Sequence, residues 1–187
     1  SWGAWDRWPA ALDPLVVVVG AGGLGCPAAL GLALAGVRRL RIIDDDVVEL
    51  SNLPRQILHR SQDVGEAKAG SAARTLRAAF PGMQVEAIRT RLEPGNAQGL
   101  LAGADLIIEG SDNFPTKYRV NAAAAKLRIP AVIAGVLRLD GQALAVAPGS
   151  PCYRCAFPDA PAPGLVPTCS SAGVLGPLAG LVGLVQA

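Results

Sequence analysis

The run LVVVVG, residues 15–20, leads without a break into AGGLGCPAALGLALAG, residues 21–36. A short, unbroken, β-branched run is the pattern of a strand buried on both faces. Gly20, Gly22 and Gly25 then space out G-x-G-x-x-G before a helical stretch closed by Gly36. Glycines at that spacing let the backbone turn tightly and approach a phosphate. The following helix N-terminus supplies unpaired amide protons and partial positive charge. A strand buried on both faces needs strands beside it and helices above and below, which commits the chain to an α/β layout. The other reading of the turn is a close-packed corner that holds no ligand.

The rest of the chain repeats the alternation. LRIID (40–44), QVEAIRT (84–90), ADLIIEGS (104–111) and PAVIAGV (130–136) read as strands, and GQALAVA (141–147) as a weaker sixth. EAKAGSAARTLRAAF, stopped by Pro81 and Gly82, and PTKYRVNAAAAKLR read as helices between them. The expectation is a doubly wound, Rossmann-like, mostly parallel sheet with right-handed crossovers, in a single domain over 1–187. Residues 1–14, with Trp2, Trp5 and Trp8, read as an N-terminal arm, and 149–171 as a Cys- and Pro-rich excursion from the sheet. Apolar residues at 51% with aromatics at only 4% suit a core of Ala, Val, Leu and Ile. A formal charge of +2 gives no argument for nucleic acid or an anionic membrane. The closing AGVLGPLAGLVGLVQA has 16 residues, short of the ~20 that span a bilayer, and reads as a buried core helix. Nothing there ends a helix, so further C-terminal sequence is expected.

Three aspartates, Asp44, Asp45 and Asp46, follow the second strand, and SNLPRQ follows them. An acid at that strand end is placed for ribose hydroxyls, which taken alone favours NAD or FAD. A dinucleotide without a 2′-phosphate needs no cation just past that acid. Here Asn52, Arg55 and Gln56 come from one turn and Lys68 from the next helix. Cations and amide donors together with a spare carboxylate suit a triphosphate and its Mg²⁺. Asp112, at the end of the fourth strand, supplies that carboxylate, because strand carboxyl ends converge on one crevice. Asp45 reads best as a plain exposed carboxylate.

Taken in order, GAGGLGCPAALGLALAGV, LRIIDDDVVELSNLPRQILH, VGEAKA, SDNFPTKYRVN, PCYRC and TCSSAGVLGPLAGLVGLVQA resemble the MoeB/ThiF group of ubiquitin-activating-enzyme-like adenylyltransferases. The resemblance runs from Leu15 to Ala187 with spacing kept. It implies ATP and Mg²⁺ held by Gly23, Asp44, the segment from Ser51 and Asn52 to Arg55, Lys68, and Asp112 with Asn113. It implies adenylation of the C-terminal Gly-Gly carboxylate of a small ubiquitin-like sulfur-carrier protein, of the molybdopterin-synthase or thiamine type. In that reaction Arg55 and Lys68 neutralise the phosphorus centre and Asp112 holds the metal. A cytoplasmic homodimer is implied too. Arg7, the only basic residue of the arm, departs from the family's Arg-containing segment that reaches a partner's site.

Cys26 reads as a small core residue. Cys152 and Cys155 have the tight spacing of a structural zinc half-site, but zinc takes four ligands and no second pair exists in the chain. The family's second pair lies nearer the C-terminus. Either that half is missing here, or no zinc binds, or the pair is redox-active. Cys169 precedes an apolar helix, whose N-terminus would favour thiolate. The resemblance allows it thioester or acyl-disulfide chemistry with the carrier; otherwise it is an exposed loop cysteine. Two other functions stay open: a catalytically silent relative that binds a carrier or assembles with a partner, and an NAD(P)-dependent oxidoreductase.

Overall fold

A computed structural model describes residues 13–162 and 173–187. The tryptophans and Arg7 of the arm, and Cys169, lie outside the described residues.

Six strands form one sheet in the order β3-β2-β1-β4-β5-β6. They are β1 (Leu15–Val19), β2 (Arg39–Ile43), β3 (Gln84–Ile88), β4 (Leu106–Glu109), β5 (Ala131–Leu137) and β6 (Asp140–Val146). All neighbours run parallel except β6, which turns back antiparallel on β5. The expected doubly wound sheet is therefore present. β1 lies at its centre, and its side chains alternate between two cores. Val16 and Val18 pack under α1 (Gly25–Leu34) and α2 (Lys68–Ala79), among Ala28, Leu32, Ala72 and Leu76. Val17 and Val19 pack on the other face under α3 (Ala97–Leu101) and α4 (Phe114–Leu127), among Leu101, Ile107, Val120 and Ala124. The period of two in a β-strand is what lets an unbroken valine run serve both faces.

The strand order reverses between β1 and β4, and a crevice opens there beyond the carboxyl ends of the strands. The glycine turn sits at that point. Gly20 has φ +94°, a left-handed conformation that favours glycine. At Gly25 a Cβ would lie 1.7 Å from the Gly20 carbonyl oxygen, so the turn closes only with glycine there.

The excursion after β6 carries one helical turn, α5 (Tyr153–Ala156), tied to α4. The Tyr153 amide donates to Asn121 Oδ1 at 2.9 Å, and the Tyr153 and Tyr118 rings meet edge-on with centroids 5.3 Å apart.

The C-terminal segment forms α6 (Gly176–Gln186), but only one side of it is buried. Ala179, Val182, Gly183 and Gln186 face inward, whereas Leu181, Leu184 and Val185 are exposed. This corrects the expectation of a buried core helix: a uniformly apolar stretch does not reveal which face the fold covers. No helix among the described residues is long and apolar enough to cross a membrane. Small residues bring α6 close. A Cβ at Gly183 would lie 2.4 Å from the Leu24 carbonyl oxygen and 2.5 Å from Pro27 Cγ. Gly183→Val should therefore lower stability by about 1–3 kcal/mol or more through overpacking. Urea unfolding monitored by circular dichroism measures this, and an unchanged midpoint would refute the close packing.

Candidate active site

A cavity of about 670 Å³ fills the crevice, walled by the glycine turn, the aspartate loop, the ends of β4 and β5, and the start of β6. Gly20, Gly22, Gly23, Asp44, Arg55, Gln56, Lys68, Asp112 and Asn113 all line it. Residues spread over much of the sequence thus share one chamber. Gly25, Ser51 and Asn52 are not in its wall. Gly25 closes the turn from behind. Asn52 is buried and folds its own loop, accepting the Glu49 amide through Oδ1, and the Ser51 hydroxyl donates to Glu49. The Ser51 carbonyl still serves the site indirectly by accepting Arg55 Nη1 at 3.0 Å.

The amide groups of Gly22, Gly23 and Leu24, just before α1, donate to no acceptor among the described residues. No side chain among the described residues caps that helix. Free amides at a helix N-terminus are a site for an anion. Gly23 packs directly on Arg55: a Cβ there would touch Arg55 Cγ and Cδ at 3.5 Å. Arg55 makes no ion pair among the described residues. Lys68 is buried at the start of α2 and pairs with Asp46 at 2.9 Å. Asp46 is therefore a partner of the lysine. Asp45 is exposed, as expected.

Asp44 braces the loop. Its Oδ2 accepts the Ala21 amide at 2.7 Å and its Oδ1 the Asp46 amide at 2.8 Å. Burial pushes its carboxyl above the ordinary range, while those two amides and Lys68 oppose the shift.

Asp112 is the opposite case. Its carboxylate accepts no hydrogen bond among the described residues, although the residues on both sides of it are pinned. Glu109, fully buried at the end of β4, accepts the Ser111 amide at 2.9 Å and the Ser111 hydroxyl. Lys117 on α4 donates to Glu109 Oε2 at 2.6 Å, to the Ser111 carbonyl at 2.7 Å and to the Ala134 carbonyl. Asn113 caps α4 by accepting the Thr116 amide at 3.0 Å. A rigid loop thus presents one free carboxylate to the cavity. Sequence reasoning missed the Glu109–Lys117 pair. Lys117 lines the cavity, yet all three of its protons are engaged, so it has none left for a ligand.

Gln56 is 4% exposed, lines the cavity near Gly22, and neither end of its side-chain amide has a hydrogen-bond partner among the described residues. A buried amide left unpaired is costly unless a ligand or water completes it.

Cys26 is fully buried, as expected, and burial pushes its thiol up to about 12. Cys152 and Cys155 stand at the base of α5 with sulfurs 3.9 Å apart and unbridged. Two sulfurs on one tetrahedral zinc, at 2.3 Å each, lie about 3.8 Å apart, so the pair fits half of such a site. No third His, Cys, Asp or Glu joins them among the described residues. A hydrogen bond from Asn121 leads in drawing the Cys152 thiol below its ordinary range, with help from the Arg154 and Cys155 amides. Iodoacetamide at pH 8 should label Cys152 and Cys155 and spare Cys26, as read by peptide mass mapping. Equal labelling of Cys26 would contradict its burial.

A doubly wound sheet with free amides in a glycine turn at its switch point and a free carboxylate opposite has the layout of the α/β class of proteins whose ligands bind in that crevice. The ThiF family model matches residues 12–187. The chain belongs to the ThiF family. SAMP-activating enzyme E1 of Haloferax volcanii is 49% identical over 176 residues, covering 94% of this chain and 65% of that protein. Sulfur carrier protein adenylyltransferase of Thermus thermophilus is 47% identical over 178 residues, covering 92% and 66%. The chain thus spans about two thirds of the length of these relatives. Crystal structures of E. coli MccB share the fold. The one with MccA-N7isoASN has a TM-score of 0.82 at 23% identity over 93% of this chain and 54% of that one. The one with AMPCPP and MccA has a TM-score of 0.81 at 22% identity, with the same coverage.

Proposed function

We propose that this chain is the ATP-binding part of an adenylyltransferase that activates the C-terminal Gly-Gly carboxylate of a small ubiquitin-like sulfur carrier. One observation carries the reading: the unpaired amides of the glycine turn, Arg55, Lys68, the unpaired Gln56 amide and the free Asp112 carboxylate face a single cavity. An anion that also brings a divalent cation answers all of them. The relatives' names point to the same chemistry.

In the reaction, the carrier carboxylate attacks the α-phosphorus of ATP. A C–O–P bond forms, the bond to the β-phosphate oxygen breaks, and pyrophosphate leaves. No protein nucleophile is needed, because a terminal carboxylate is ionised at neutral pH. The chain contributes position and charge. The turn amides and Arg55 stabilise the phosphate oxygens. Lys68 joins them by exchanging Asp46, whose side chain is 66% exposed, for phosphate. Asp44 meets the ribose. Asp112 would hold the Mg²⁺, which would supply charge neutralisation for the triphosphate, while Asn113, its Oδ1 taken by Thr116, would offer its side-chain NH2 to the nucleotide.

Structural zinc on Cys152 and Cys155, completed by ligands beyond the described residues, belongs to this reading. So does a homodimer, which the exposed Leu34 of α1 and Leu181, Leu184 and Val185 of α6 support as a surface to cover. Carriers of the molybdopterin and thiamine types are both candidates.

ATP–pyrophosphate exchange tests the reading. Exchange should appear only with a carrier ending in Gly-Gly and vanish when its last glycine is removed. Mass spectrometry of the adenylated carrier identifies which type is used. Exchange independent of any carrier, or nucleotide-free protein that binds NADH in preference to ATP, would overturn it.

A further inference from the structure

Ala21, between the cavity glycines Gly20 and Gly22, is 2% exposed, and both of its backbone polar groups are held by side chains. Asp44 takes the amide. The carbonyl faces His59 Nε2 at 2.9 Å and also accepts the Cys26 thiol at 3.1 Å. His59, the only histidine of the chain, is itself buried. Its Nδ1 lies 2.9 Å from Ser71 Oγ, which lies 2.9 Å from Asp63 Oδ2. Asp63 is fixed in turn by the Arg60 amide at 2.9 Å and by Arg74 at 2.6 Å. A continuous polar chain thus runs from α2 through the core to the back of the glycine turn.

We infer that His59 is a positioning residue: held by Ser71 and Asp63, it donates from Nε2 to the Ala21 carbonyl and so keeps the Gly22 and Gly23 amides set for the nucleotide. A carbonyl oxygen only accepts, so Nε2 carries the proton. Ser71 has one hydroxyl proton: turned to Asp63 it leaves Oγ to accept from Nδ1–H, and turned to Nδ1 it serves a neutral ring, and Nε2 donates to Ala21 in both arrangements. Burial pushes His59 below the ordinary imidazole range, and Lys68 adds to this, while the Ala21 carbonyl, Asp44 and Asp63 oppose it. His59 does not line the cavity and touches no ligand there. Its action passes through Ala21 alone, as orienting groups act through the groups they hold.

This rests on the adenylation reading for its kinetic arm only. In ATP–pyrophosphate exchange, His59→Leu, which keeps bulk without a donor, should raise KM for ATP about tenfold with kcat within about twofold. His59→Gln has an amide nitrogen three bonds from Cβ, as Nε2 is, and should restore KM to within about twofold. By NMR hydrogen exchange on the ligand-free protein, the Gly22 and Gly23 amides should exchange at least tenfold faster in His59→Leu, with β1 amides unchanged. An unaltered KM, failure of His59→Gln to restore it, or uniform acceleration across β1 would each overturn the inference. A wild-type protein without exchange activity would sink the adenylation reading, and the amide measurement would still decide the role of His59.

Discussion

Arg55→Ala should reduce carrier-dependent ATP–pyrophosphate exchange about 10²–10³-fold in kcat while leaving the protein folded. The expectation comes from how Arg55 is placed. Its side chain lies against Gly23, one Nη is anchored on the Ser51 carbonyl, and the rest of the guanidinium has no anionic partner among the described residues. A cation held by its neighbours without being neutralised is preorganised for charge that grows on a substrate. Lys68 differs, because Asp46 already balances it. Removing the Arg55 side chain deletes only one hydrogen bond among the described residues, so the melting temperature should stay within about 2 °C. Arg55→Lys should recover only part of the loss, since a point charge lacks the planar fork. Exchange by Arg55→Ala within fivefold of wild type would remove Arg55 from the reaction.

Lys117→Met should give the largest loss of stability, about 3–5 kcal/mol. Glu109 is wholly buried, and Lys117 supplies its one counter-charge. Replacing the lysine leaves a carboxylate in the core with Ser111 as its remaining side-chain partner. It also frees the Ser111 and Ala134 carbonyls of their donor. Desolvation of the pair is already costly, so the attraction between the two matters less than what remains when one is gone. The double variant Glu109→Gln with Lys117→Met should therefore be more stable than Lys117→Met alone. Denaturant titration of both variants checks this. A single variant within 1 kcal/mol of wild type, or a double variant no better than the single, would show that the pair is not the clasp described.

That clasp marks where reading the sequence stops. The alternation of β-branched runs with Ala-rich helices is a local property set by which side chains leave water, so six strands and the helices α1, α2 and α4 were legible residue by residue. The glycine turn was legible because its spacing is a steric demand of the backbone. Parallel order then places Asp44, Arg55, Lys68 and Asp112 at the same end of the sheet, and all four line the cavity there. The five-residue α3 and one-turn α5 were not legible; segments that short owe their shape to what they pack on. The one-sided burial of α6 was hidden for a related reason, since every face of it is apolar in sequence.

The partners of the polar groups were decided by tertiary structure alone. Nothing in the string distinguishes Lys117, whose protons are all engaged, from Lys68, which lines the cavity paired with the exposed Asp46. Nothing in it brings His59 to the Ala21 carbonyl 38 residues away. Hydrophobic burial follows from composition and period, whereas a hydrogen bond depends on distance and angle within a few tenths of an ångström. Those are settled only when elements distant in sequence have packed, and it is their settling that leaves the Asp112 carboxylate and the Arg55 guanidinium at the cavity without an ion-pair partner among the described residues.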